Sequence, residues 1–415
     1  MSIVNQLRNT FMSRYGLTED IIHKETIDVT GPDPIYFSAD PNVPSVVEPV
    51  FVTIHSVDEF KEFGGNPDHL YENGTLEERY EAPSPWPAAR TALPYEELTA
   101  QEQSAICKAY KAYIEGNSKK VQSYKEVIQK HFFPTELAIL AANDLIVRSG
   151  QTVNLQGGSS QPVTFSYNTI TVEPGGRINT TGIVKILSNT FTQQPGNDGS
   201  NPTITNEGQD GTSGAAGGNG GNGATGSKGS SGSSGKNSCD TQPGKGGTGT
   251  PGNPGANGGN GSAGSASGDI TMTYDQISGI VKVSNIGGNG GTGGAGGNGG
   301  TGGAGGAGGE ATGHCSAGAQ GNGGTGGDGG SGGNGGNGGN GGTVNIIYSS
   351  SAPGTSFQFS PNPNKGKAGQ GGRGGNAGSG GQGSPTGGGG NAGKVGSNGT
   401  TGTPGRIYVN NVPIN

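Results

Sequence analysis

Over most of the second half of the chain, glycine returns at every third position. It stands at 211, 214, 217, 220, 223, 226, 229, 232 and 235. The same phase holds at 366, 369, 372, 375, 378 and 381, slips to Ser384, and resumes from 387 to 405. A flexible Gly/Ser linker holds no such phase. Period three implies an extended helix with three residues per turn and one bare face. Such a helix has no internal hydrogen bonds, so its N–H and C=O groups must pair with neighbours.

Composition agrees that an ordinary core cannot span the chain. Of 415 residues 91 are Gly, only 27% are hydrophobic and 13% charged. Ordering the backbone opposes folding by about 1–2 kcal/mol per residue, and most of all at glycine. The low charge does not fit a charged disordered chain either. The net charge of −7 leaves no basic footprint for nucleic acid. No apolar run approaches the roughly 20 residues of a membrane span, so membrane insertion is not expected.

The glycine lies in three tracts, about 208–268, 287–342 and 366–405. Apolar segments separate them at 269–286 and 343–360, and RIYVNNVPI (406–414) closes the chain. The middle tract, GGNGGTGGAGGNGG and onward, has two glycines in every triplet and no proline. Collagen needs one glycine per triplet and is rich in proline. Two bare faces instead suit a polyglycine II helix bonded on both sides. PGNPGANG (251–258) is the stretch nearest to collagen.

Each tract is broken once near its middle by turn-forming residues. The breaks are KNSCDTQP (236–243), EATGHCSAGAQ (310–320) and SPT (384–386). Matched arms around a turn describe a hairpin. Three hairpins, or six antiparallel helices, are therefore expected, with the middle tract between the others. At about 3.1 Å per residue the arms would measure roughly 78, 70 and 57 Å, a tapering array. The tip loops would present Lys236, Asp240, Glu310, His314, Ser384, Pro385 and Thr386. Cys239 and Cys315 lie in the breaks of neighbouring tracts, so stacked hairpins would bring them together as a disulfide. That would favour an oxidising, extracellular setting.

The apolar segments alternate as half-buried strands do. Gly268-Asp-Ile-Thr-Met, Gly342-Thr-Val-Asn-Ile and Gly405-Arg-Ile-Tyr-Val align, an internal repeat of strand plus tract. A short-stranded β platform is expected, with a core of Ile170, Val172, Ile178, Ile183, Ile186, Ile270, Met272, Ile280, Val283, Ile346, Phe357, Phe359, Ile407 and Val409. The fold class expected is thus mainly β plus polyglycine II, with a helical N-terminal region. Its divisions are 1–135 for attachment or assembly, 136–207 for the platform, and 208–415 for hairpins alternating with platform strands.

In the first of these, Ser2–Tyr15 reads as a short amphipathic helix, without the apolar core or cleavage site of a signal peptide. A strand is expected at Pro49–His55. Helices are expected at Pro94–Glu115 and Ser118–Phe132, joined at Gly116-Asn117, with Cys107 buried. No HExxH, CxxC or GxxxxGK[ST] occurs, so neither a metal, a cofactor nor an enzyme is expected.

The GGN, GGT and GGA triplets resemble polyglycine II sandwich proteins, such as phage tail-tip adhesins, the snow flea antifreeze protein and bacterial glycine-rich surface proteins. The resemblance is compositional and covers about 208–405. It carries no functional residues across. A polyglycine II slab exposes a large rigid face and strand edges that invite further chains, so a self-associating extracellular structural protein is expected, forming a fibre, filament or surface coat as a homo-oligomer or polymer. Alternatives are an adhesin recognising cell-surface sugar or protein through the hairpin tips, and an ice-binding protein. Either would act outside the cell or on a cell or virion surface.

Overall fold

The computed structural model describes residues 11–18, 22–31, 33–74, 78, 80–159, 161–196, 202–359 and 364–414. Two sheets form its β body. The larger runs in the order Ile27–Val29, Asp144–Val147, Val163–Val172, Val184–Gln193, Ile270–Ser278, Val344–Ser351, Ile407–Val409 and Val412–Pro413. Thr135–Ala141 branches from it and carries Val50–Ile54. The smaller sheet runs Ser356–Phe359, Ile280–Ile286, Ile204–Glu207, Arg177–Thr181, Thr152–Gln156 and Ile35–Ser38.

From Asp144 the chain alternates between the two sheets, adding one strand to each in turn, and the pairs between successive turns are parallel. Inward positions of both sheets form one core. It includes Ile170, Val172, Ile178, Ile186, Ile270, Met272, Val283, Ile346 and Ile407, with Phe357, Phe359 and Val409 packed at its margin. Ile183 and Ile280 are half-buried at strand starts. A second core lies under the helices Val57–Gly64, Ala100–Glu115 and Lys125–Phe132. Thr135–Ala141 serves both: Leu137, Ile139 and Ala141 face the helices, while Ala138 and Leu140 face the other core. Burial on two sides explains its unbroken apolar run.

Each glycine tract is inserted at the same corner of the coil. It leaves the end of a smaller-sheet strand and returns to the start of a larger-sheet strand. The first arms, 208–232, 287–309 and 366–383, therefore lie side by side as a continuation of the smaller sheet. Gly211 N donates to Asn289 O at 2.7 Å and Gly290 N to Lys367 O at 2.8 Å. The second arms, 244–268, 318–342 and 387–405, continue the larger sheet, with Gly249 N to Asn322 O at 2.9 Å and Gly326 N to Gly388 O at 2.8 Å. Bonds between the two layers run antiparallel, as in Gly247 N to Ser227 O at 2.7 Å and Gly369 N to Gly336 O at 2.9 Å. The layers touch through missing side chains: a Cβ on Gly299 would lie 2.0 Å from Gly327 O.

The expected fold class needs correction. The protein is mixed α/β, with a ten-stranded and a six-stranded sheet that are largely parallel, and with few helices. It is not a stack of antiparallel polyglycine II hairpins on a short-stranded platform. The reason is the coil. Each turn repeats the direction of the last, so corresponding arms of successive tracts must run parallel.

Asparagine has a distinct place in the tracts. On one outer face Asn219 Oδ1 accepts Asn298 N at 2.8 Å, and Asn298 Oδ1 accepts Asn376 N at 2.9 Å. On the other, Asn260 Oδ1 accepts Asn334 N at 2.8 Å and Asn334 Oδ1 accepts Ser397 N at 2.9 Å. The glycine N–H groups bond to carbonyls of adjacent arms, and the outward N–H groups take these amide oxygens. The recurring GGN triplet is thereby given a physical cause.

In the N-terminal region the strand is Val50–Ile54 and the first long helix is Ala100–Glu115. The helix expected from Ser118 begins as a 3-10 turn, Ser118–Tyr124, kinked at Val121 (φ −125°, ψ 25°), before Lys125–Phe132. Of the helix expected at Ser2–Tyr15, residues 11–14 are helical and 2–10 lie outside the described residues. Cys107 is on its helix but exposed, not buried, beside Tyr95 Oη at 3.8 Å.

Candidate functional site

Two places gather polar side chains. One is the far end of the glycine tracts. There Ser233–Ser234 pairs antiparallel with Cys239–Thr241. Cys239 and Cys315 are bonded, with Cα atoms 4.9 Å apart and a separation of 76 positions in sequence. His314 N donates to Ser234 Oγ at 3.2 Å, and Ser234 Oγ also meets Thr312 Oγ1. Lys228 pairs with Glu310. The exposed residues Lys236, Asp240, Glu310 and His314 thus share the joined ends of tracts one and two. Ser384, Pro385 and Thr386 do not join them. Ser384 N donates to Gly321 O at 2.9 Å and Gly323 N to Pro385 O at 3.0 Å, so tract three turns short of that end.

The other place is a cavity of about 420 Å³ between the helices and the outer face of the larger sheet. Its floor is one row across four parallel strands: Lys185, Thr271, Asn345 and Tyr408 are register partners. Helical residues Tyr110, Ile114 and Glu115 roof it, and Phe132 closes a side. The Tyr110 and Phe132 rings stack at 5.2 Å with 13° between their planes.

Its electrostatics are unusual. Burial and then the facing Asp269 carboxylate push Glu115 up to about 7. Both causes disfavour the charged form of Glu115, burial by withdrawing water and Asp269 by like-charge repulsion. Glu115 is also the last residue of its helix, where the backbone dipole disfavours an anion. Tyr80 Oη donates to Glu115 Oε2. Asp269 Oδ1 accepts Thr343 N at 2.6 Å. Lys185, on the floor, is pushed down to about 8 by burial. Its ammonium points to the Phe63 carbonyl and lies 5.3 Å from the Phe63 ring centre.

None of these cavity residues is singled out by composition or motif. The signal that could have found them is in the strands themselves. Lys185, Asn345 and Thr271 occupy outward positions at the same offset from Val184, Val344 and Ile270, so parallel pairing aligns them. Finding that row requires the pairing to be known first. Among the described residues, no group of three or more His, Cys, Asp or Glu is placed to hold a metal ion. No helix among them is long and apolar enough to cross a membrane.

No protein-family model matches the chain, and neither a curated protein nor a solved structure is found similar to it.

Proposed function

We propose that the protein is a surface-displayed binding module, with the joined ends of tracts one and two as its contact surface. The single observation that carries this is the Cys239–Cys315 bond at the end furthest from both apolar cores. A cross-link there fixes loops that otherwise bear no core, and it leaves Lys236, Asp240, Glu310 and His314 outward. Disulfides persist in oxidising surroundings, which supports an extracellular, cell-surface or virion-surface setting. The tracts then act as a stiff spacer, because every third N–H along an arm is bonded to a neighbouring arm. The partner is a cell-surface sugar or protein.

The test is a quadruple variant, Lys236→Ser, Asp240→Ser, Glu310→Ser and His314→Ser, compared with the parent on glycan arrays and on intact cells. The parent is expected to bind and the variant to lose binding with an unchanged melting curve. Equal binding by both would sink the reading.

Self-association into a fibre or coat is the second reading. Val395, 71% exposed on the outermost arm, and Phe51, 54% exposed on the strand Val50–Ile54, favour it. Sedimentation of the full chain across protein concentration and salt tests it: a constant monomer mass would argue against it.

A further inference from the structure

We propose that copies of this chain join head to tail, the last turn of the coil in one copy docking on the first turn of the next. This deepens the self-association reading and rests on it, not on the display reading.

The two ends of the coil are different surfaces. At the first, Ile27–Val29, Val50–Ile54 and Ile35–Ser38 each have a strand neighbour on one side only among the described residues. At the last stand Ser356–Phe359 and the hairpin of Ile407–Val409 with Val412–Pro413. Stacked architectures stay soluble by giving such ends a polar cap. Here they carry apolar side chains. Val46 and Phe51 at the first end, and Val395, Val412 and Ile414 at the last, are the exposed large hydrophobic residues among those described.

Register shows how the ends would meet. One row crosses the larger sheet from Val50, through Lys185 and Asn345, to Tyr408 and Pro413. Phe51 flanks that row at one end, Val412 and Ile414 at the other. A row in the smaller sheet crosses from Ile35, through Ile178, to Phe359. Asp40 stands five residues past its first member and Lys365 six past its last. A copy added in the direction of the coil therefore brings its Phe51 to Val412 and Ile414, and its Asp40 to Lys365.

Charge decides which ends meet. Residues 22–50 hold Glu25, Asp28, Asp33, Asp40 and Glu48, all exposed, against Lys24. Arg148 offsets Asp28, and the other four still outnumber the base. Residues 364–414 hold Lys365, Lys367, Arg373, Lys394 and Arg406 and no acid. Two first ends, or two last ends, would set like charges together; a first and a last set opposite charges together. Such a contact leaves one end of each kind free, so it repeats from copy to copy. Strand addition is not what holds it. Pro413 has no N–H to offer, and Val46 N already donates to Tyr36 O at 2.9 Å. The joint is made by side chains.

The experiment is sedimentation of the full chain over a range of concentrations, at about 0.01 M and about 1 M salt, between which the screening length falls from about 30 to about 3 Å. The parent is expected to grow in mass with concentration, and to associate about tenfold more weakly at the higher salt. Two variants each reverse one end: Asp40→Lys with Glu48→Lys, and Lys365→Glu with Lys367→Glu. Each alone should stay at monomer mass. An equal mixture should assemble again, because every joint between unlike variants sets opposite charges together. Melting curves equal to the parent's keep folding out of the comparison. Assembly of each reversed variant as strong as the parent's, or a mixture that stays at monomer mass, would overturn the head-to-tail joint and leave self-association standing. A parent at monomer mass under every condition would overturn both.

Discussion

At Gly300 one methyl group decides whether two neighbouring arms of a layer can touch. A Cβ there would sit 2.0 Å from Gly221 O and 2.5 Å from Gly221 C, with no flexible side chain to give way. Gly300→Ala must part the arms and break bonds such as Gly220 N to Asn298 O (2.7 Å) and Gly223 N to Thr301 O (2.8 Å). At about 0.5–1.5 kcal/mol net per hydrogen bond, the loss should be about 2–4 kcal/mol with the strain added. Gly218, in tract one, stands off the period-three phase, and nothing lies within 4 Å of its Cβ position. Gly218→Ala should be neutral, or more stable by up to about 1 kcal/mol, because it restricts the unfolded chain. Thermal melts of the two single variants check the contrast; equal effects would show that the arms do not pack this way. The phase was legible in the sequence, because bare positions at period three suit backbone packed against backbone and little else. The asparagine ladder was not. Whether Asn298 meets Asn376 depends on which arms are neighbours, and a triplet repeat carries no information about that.

Helix Ala100–Glu115 is held at both ends by groups that report on pH and on sequence reading alike. Its start was legible: Thr99 and Glu102 form a capping box, the T-x-x-E signature, although reading the helix from Pro94 overlooks it. Its end was not, because the partner of Glu115 lies at the return of the first glycine tract, at Asp269. Glu115 is raised from an ordinary carboxyl value of 4.5 to about 7. A carboxyl whose folded value is raised binds its proton more tightly in the folded state. Its contribution is therefore fully present below about 4.5 and is lost as pH rises through about 7. Amide exchange in 100–132 should accelerate relative to the β body between pH 5 and pH 7.5. Glu115→Gln, which keeps a hydrogen bond and removes the charge, should flatten that dependence. An unchanged profile in Glu115→Gln would refute the assignment. The tip disulfide makes a separate prediction. Its chain separation of 76 residues corresponds to about 4.5 kcal/mol of chain entropy in the loop-closure model. Because the arms are already bonded along their length, reduction should loosen the end locally. Exchange in 233–241 and 310–316 should rise on adding dithiothreitol, while 270–286 stays protected. Global unfolding on reduction would contradict this.

The two layers of the glycine-tract body are continuations of the two sheets, and that relation sets what lengths the molecule tolerates. Segment order and alternation in the sequence indicated strands returning between tracts, but not their direction. Period three reads the same forwards and backwards, so antiparallel and parallel neighbours could not be told apart until the coil showed each tract leaving from one corner. Once that is known, length becomes a discrete quantity. Tract three ends its first arm where Gly305 N donates to Gln382 O at 2.7 Å, one row before Gly308. Inserting Asn-Gly-Gly after Gly381 and Gly-Asn-Ala before Gly387 keeps every existing row in phase and brings a new arm segment alongside Gly308. Stability should be unchanged or rise by about 1 kcal/mol, the net worth of one added hydrogen bond. Inserting a single residue after Gly372 instead shifts all later positions of that arm by one. Arg373 and Ser379 would then take the places of Gly374 and Gly380 at the contact, and Ala377 that of Gly378, against carbonyls now 1.8 to 2.0 Å from those Cβ positions. The chain must lose the outer part of the arm, and the melting temperature should drop by several degrees. Thermal unfolding of the two insertions, followed by far-ultraviolet dichroism, separates them. A one-residue insertion as stable as the paired triplets would mean that the tract's phase does not hold the layers together.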